Sequence, residues 1–117
     1  MSDLILLHNP RCSKSRGALE ILEQRGLQPQ IVRYLDEPLS AEAIAELLNK
    51  LGLSARELLR KGEDDYKALN LADTSLSEAQ LIAAMAGHPK LIERPILVVG
   101  ERAVVGRPPE RVLELLA

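Results

Sequence analysis

A short apolar run, Leu4–Leu7, opens the chain and reads as a buried strand. The pattern then breaks at His8-Asn9-Pro10, and Ser13 can cap the helix that follows. That helix carries its apolar stripe on Ala18, Leu19, Ile21 and Leu22 and ends at Arg25-Gly26, with Gly26 as the C-cap. Residues 30–34 form a second strand, so the opening is a βαβ unit with parallel strands. Asp36-Glu37-Pro38-Leu39-Ser40 turns into a helix capped by Ser40. Its apolar positions Ile44, Leu47, Leu48 and Leu51 share one face, and Gly52 stops it. A capping box at Ser54-Ala55-Arg56-Glu57 starts a short helix that should end near Arg60-Lys61-Gly62. Residues 63–71 give one or two further helical turns. Ser77-Glu78-Ala79-Gln80 opens another helix, which stops at Gly87-His88-Pro89.

Beyond residue 89 the rhythm changes. The β-branched runs 96–99 and 103–105, separated by Gly100-Glu101-Arg102, predict an antiparallel hairpin. Gly106-Arg107-Pro108-Pro109 leads into a last helix carrying Val112, Leu113, Leu115 and Leu116, with a proline at its first position. The order is β-α-β, a helical block, then β-β-α. This is an α/β chain with a thioredoxin-like layout, a four-stranded mixed sheet in a single domain over residues 1–117. The helical block is an insertion at about residues 40–87. In such a layout Cys12 sits at the N-terminus of the first helix. Arg94-Pro95, just before the third strand, falls close to it, and Pro95 is a candidate for a cis peptide bond.

Composition narrows the function. A chain of this length can bury a real core, and with two Tyr, no Phe and no Trp that core must be Leu, Ile, Val and Ala. There are no aromatic platforms for single-stranded nucleic acid, and a net charge of −2 does not draw nucleic acid or anionic membrane. No apolar segment approaches spanning length, and no signal-peptide pattern or zinc-ligand spacing occurs, so no bound metal or cofactor is expected. A single cysteine makes no internal disulfide, which points to the cytoplasm. No long apolar face is left over, so a monomer is expected.

The chemistry gathers on residues 4–16, LILLHNPRCSKSR. At a helix N-terminus the free N–H groups and the dipole favour negative charge, and Arg11, Lys14 and Arg16 add positive charge. That setting favours a thiolate at Cys12, and it also suits an oxyanion. The competing reading, a small buried hydrophobe, fits poorly with a loop of Asn, Pro, Arg, Ser and Lys. His8 is either a polar strand end or a base or cation that supports the thiolate. In Cys12-Ser13-Lys14-Ser15 a serine replaces the second cysteine of a C-x-x-C motif, which excludes a dithiol enzyme but not a monothiol one. Arg16 lies too close to Cys12 for a cysteine-phosphatase loop. Arg60, Arg94 and Arg107 are either solvated surface charges or ligands for a tetrahedral oxyanion, which arginine's planar fork suits, and the layout favours Arg94 and Arg107 for the second role. A thiolate among guanidinium groups implies an anionic substrate attacked at its central atom.

The His8-Asn9-Pro10-x-Cys12-x-x-Ser15-Arg16 signature, Arg60, Glu93-Arg94-Pro95-Ile96 and Gly106-Arg107-Pro108 together resemble the glutaredoxin-dependent arsenate reductases. The resemblance runs from Leu4 to the last helix, with Ser13-Lys14 standing where resistance-operon enzymes usually carry Gly-Thr. It implies that Cys12 attacks arsenate while Arg60, Arg94 and Arg107 hold the oxygens, with Asn9 and Arg16 also among the substrate-binding residues. His8 and Ser15 would lower the Cys12 pKa through charge and hydrogen bonding, and Arg16 would do the same or shape the loop. Glutathione is then the co-substrate and glutaredoxin the final partner. Two other readings stay open: a glutathione-dependent thiol reductase of the same fold, and a redox regulator that binds RNA polymerase. The second normally needs the C-x-x-C switch that Ser15 breaks.

Overall fold

The computed structural model describes residues 4–116 of the chain. It divides into two compact units: Pro38–Glu93, and the residues on either side of that segment.

The sheet belongs to the unit formed by the two ends of the chain. Its strands are β1 (Leu4–Leu7), β2 (Gln30–Val32), β3 (Ile96–Val99) and β4 (Arg102–Val105), in the order β2-β1-β3-β4. β1 runs parallel to β2 and antiparallel to β3, and β3 pairs antiparallel with β4, which is the thioredoxin-like sheet. Register aligns Ile31, Leu6, Leu97 and Val104 across the four strands, so these side chains lie on one face. On that face Leu6, Leu97 and Val104 pack with Ala18 and Leu22 of α1 (Ser13–Gln24) and with Val112. This cluster is aliphatic, but the buried residues are not all Leu, Ile, Val and Ala as expected, since Tyr34 and Met85 are fully buried as well.

Four elements of this unit differ from the sequence reading. The first is the start of α1. Cys12 itself, in extended conformation, is the N-cap residue, and its carbonyl accepts the Arg16 N–H at 3.0 Å. Ser13 is thus the first helical residue and caps nothing. At the far end Arg25 is the C-cap and Gly26 follows it, taking the left-handed turn at φ 74°. The second is β2, which stops at Val32 because its partner β1 is only four residues long. Tyr34 lies in the turn beyond, fully buried. The third is β4, which begins at Arg102, leaving a two-residue hairpin turn whose Gly100 has φ 60°. The fourth is the last helix, which winds as a 3-10 helix over Pro109–Leu115. With three residues per turn, Val112 and Leu115 fall in one line and both meet the core.

The second unit holds α2 (Ala41–Leu51), α3 (Ala55–Leu58), α4 (Asp64–Ala68) and α5 (Glu78–Gly87), followed by a 3-10 turn at Pro89–Leu91. Ser40 accepts the Ala43 N–H, and capping boxes form at Ser54 and Ser77 as their spacing predicts. α3 ends at Leu58, earlier than expected, because Leu59 turns extended and bridges antiparallel to Ile92. The Arg60 N–H donates to Leu91 O at 2.7 Å and the Glu93 N–H to Leu58 O at 3.1 Å, so two chain segments remote in sequence are tied together.

Candidate active site

The loop after β1 is built by backbone bonds that its residue types make possible. The His8 N–H donates to Val32 O at 2.9 Å, carrying the parallel ladder one residue past the strand. Asn9 is buried, and its side-chain carbonyl accepts the Arg11 N–H while its backbone carbonyl accepts the Cys12 N–H, each at 3.0 Å. This Asx turn, with Pro10 next, reverses the chain and delivers Cys12 to the start of α1. Arg16 donates from Nη1 to Pro10 O at 3.0 Å, closing the loop over the first helical turn.

Cys12 is a free, partly exposed thiol. Partial burial pushes its pKa up, but the backbone N–H of Ser15, the guanidinium of Arg94 and the backbone N–H of Lys14 all face the sulfur and together hold the pKa below that of an ordinary thiol. The buried-hydrophobe reading of Cys12 is therefore set aside. The basic side chains of the loop were expected to supply the charge, yet it is Arg94, from the other end of the chain, that does so.

Ser15 is fully buried, and its hydroxyl is engaged away from the sulfur: it accepts the Asn9 N–H at 3.0 Å and pairs with His8 Nδ1 at 2.6 Å. Its help to the thiol comes through its peptide N–H. His8 is buried too, and burial, then the charges of Arg33 and Arg16, hold its pKa below the usual 6.5. That lowering disfavours the cation among the readings of His8 and is compatible with a base or a polar strand end.

Arg94 stands two residues before β3, and its bond to Pro95 is cis, as is Arg107–Pro108, which the sequence reading did not foresee. Arg107 Nη1 donates to the Arg94 carbonyl at 3.2 Å, which sets the two arginines side by side. Gly106 permits this approach. Its N–H donates to Pro95 O at 2.8 Å, and a Cβ there would stand 3.0 Å from Pro95 Cγ and 3.1 Å from Val112 Cγ1. The close packing of Gly106 is not a local feature, because the atoms it meets come from Pro95, just before β3, and from the last 3-10 helix. Arg60 lies in the other unit, where Glu63 and Glu93 approach its guanidinium at 3.7 and 3.5 Å. Among the described residues no group of His, Cys, Asp or Glu is arranged to hold a metal, and no helix is long and apolar enough to cross a membrane.

Sheet, helix and loop thus define a thioredoxin-like protein that carries one partly exposed thiol with Arg94 beside it. The model of the ArsC family matches residues 7–115, and the chain belongs to that family. It is similar to the arsenate reductase of Haemophilus influenzae, at 46% identity over 97% of this chain and 98% of that one. It is 55% identical to the uncharacterized protein YfgD of Escherichia coli, over 95% of this chain and 94% of that one. Among solved structures, an arsenate reductase from Vibrio cholerae superposes with a TM-score of 0.94 at 50% identity, covering 97% of each chain.

Proposed function

We propose that this chain is an arsenate reductase that uses Cys12 as nucleophile and takes both reducing electrons from glutathione and glutaredoxin. The observation that carries the reading is the Cys12 sulfur facing two backbone N–H groups and the Arg94 guanidinium, in a chain of the ArsC family. Such a group of donors favours both a thiolate and the oxyanion it attacks. Arg94 and Arg107 hold the arsenate oxygens as planar forks, and the family resemblance adds Arg60 to this set. Asn9 and Arg16 keep the binding loop in shape, and His8 and Ser15 support it from beneath.

The steps balance as follows. The Cys12 sulfur bonds to arsenic, and one arsenate oxygen leaves as water after taking up protons. Glutathione replaces a second oxygen in the same way, forming an arsenic–sulfur bond. A glutaredoxin thiolate then attacks the glutathione sulfur. The electron pair of the breaking arsenic–sulfur bond stays on arsenic, which falls from pentavalent to trivalent, and a mixed disulfide departs. Hydrolysis releases arsenite and restores the Cys12 thiol. In sum, one arsenate and two thiols give arsenite, one disulfide and water. The chain has a single cysteine, so both of these thiols must come from outside it.

The test is arsenate-dependent NADPH oxidation with glutathione, glutathione reductase and a glutaredoxin, comparing the wild type with Cys12→Ser. Turnover that needs arsenate, glutathione and Cys12 is expected. Turnover of glutathione-linked disulfides without any response to arsenate would move the chain to the thiol reductases.

A further inference from the structure

From Leu4 to Leu19 the chain carries Arg11, Lys14 and Arg16 and not one carboxylate. The three cations are not equivalent. Arg16 is committed to the Pro10 carbonyl. Arg11 and Lys14 are exposed, and among the described residues neither side chain makes a hydrogen bond or an ion pair. Nor do these two side chains supply the charge that faces the Cys12 sulfur, which comes from Arg94. Their backbones are nonetheless firmly placed. The Arg11 N–H is held by Asn9 Oδ1, and Lys14 lies in the first turn of α1, its N–H facing the sulfur. Two unpaired cations therefore flank a partly exposed thiol on a rigid loop, and nothing in that loop neutralises them.

We propose that Arg11 and Lys14 form a docking rim for the external thiol, and that the thiol it fits is a small one bearing carboxylates. The inference rests on the proposed catalytic cycle only in needing an outside thiol, and the single cysteine requires that of any redox turnover here. A thiol that reacts at Cys12 must bring its sulfur up to the exposed side of the loop. Carboxylates a few ångströms from that sulfur then fall among the rim cations. The attraction raises the local concentration of an anionic thiol and lines up its sulfur, while a neutral thiol gains nothing. Exposed pairs of this kind are individually weak and are screened by salt, so the effect is a moderate preference that fades with ionic strength.

The test needs no arsenate. The rate at which Cys12 exchanges with oxidised glutathione is compared with its rate toward bis(2-hydroxyethyl) disulfide, a neutral reagent. In each exchange the Cys12 thiolate attacks one sulfur, a mixed disulfide forms, and the other half leaves as a thiolate. Removing both charges, in Arg11→Gln with Lys14→Gln, is expected to slow the reaction with oxidised glutathione about fivefold at low salt while sparing the neutral disulfide. Raising the salt should bring the wild type down towards the variant. Equal loss with both reagents would mean that the cations act on the thiol itself. No loss with either would mean that they are ordinary solvated charges. Either result overturns the proposal. A chain that shows the charge preference but no arsenate turnover would retain the rim and lose the arsenate reading, so the two failures are distinguishable.

Discussion

The buried hydroxyl of Ser15 is where a single atom should matter most. Ser15→Ala deletes an oxygen that accepts the Asn9 N–H at 3.0 Å and pairs with His8 Nδ1 at 2.6 Å. Ser15, His8 and Asn9 are all buried, at 0%, 6% and 7% exposure, so water does not readily replace the lost partner. A buried polar group left without a partner costs about 1–3 kcal/mol. Two groups are stranded here, and some relaxation of the loop offsets part of the cost. The expected loss is about 2–4 kcal/mol, a large share of the ~5–15 kcal/mol that holds a domain of this size together. The alanine methyl is smaller than the hydroxymethyl group it replaces, so overpacking contributes nothing of the opposite sign. Urea denaturation followed by far-UV circular dichroism gives the value directly, with the slope expected to be unchanged. A double-mutant cycle with His8→Ala should then return a coupling of about 1 kcal/mol or more between the two side chains. A midpoint for Ser15→Ala that matches the wild type would refute the account of this network.

Arg94→Ala should raise the pH midpoint of Cys12 alkylation by iodoacetamide and cut kcat/KM for arsenate by about 100-fold, the usual cost of one oxyanion donor; an unmoved alkylation profile would remove Arg94 from the thiol's surroundings. The pKa of His8 is depressed in the folded chain, so below pH 6.5 the unfolded chain takes up the proton more readily. Stability should therefore fall as pH drops from about 7 through 6.5 and on toward the lower folded value, and urea midpoints for the wild type and His8→Gln should converge across that range. Gly106→Ala places a methyl 3.0 Å from Pro95 Cγ and 3.1 Å from Val112 Cγ1. It should cost about 1–3 kcal/mol of stability and weaken arsenate turnover together, whereas Gly62→Ala, with nothing within 4 Å, should do neither.

Much of the fold was legible because it is written in short-range signals. The serine caps at Ser40, Ser54 and Ser77, the Gly52 stop and the β-branched hairpin all depend on residues within a few positions of one another. The misreadings occurred where a distant segment decided the local outcome. Leu59 leaves its helix to bridge Ile92, and the closing segment tightens to a 3-10 helix so that Val112 and Leu115 both meet the core. The boundary at Cys12 is similar, since a residue with no capping side chain starts α1 while Asn9 sets its turn.

For the site, the sequence by itself determined the one cysteine, its place before a helix, and the supply of arginines. Residue type and spacing suffice for these, because the helix N-terminus is a local feature and cysteine chemistry belongs to the residue. Tertiary structure alone decided which charge reaches the sulfur, namely Arg94 rather than the loop cations, and in which direction the pKa of His8 moves. It also turned the Ser15 hydroxyl toward His8 and set Arg107 beside Arg94 across Gly106. Electrostatic effects fall with distance in space and grow with burial, and neither quantity is a function of separation along the chain.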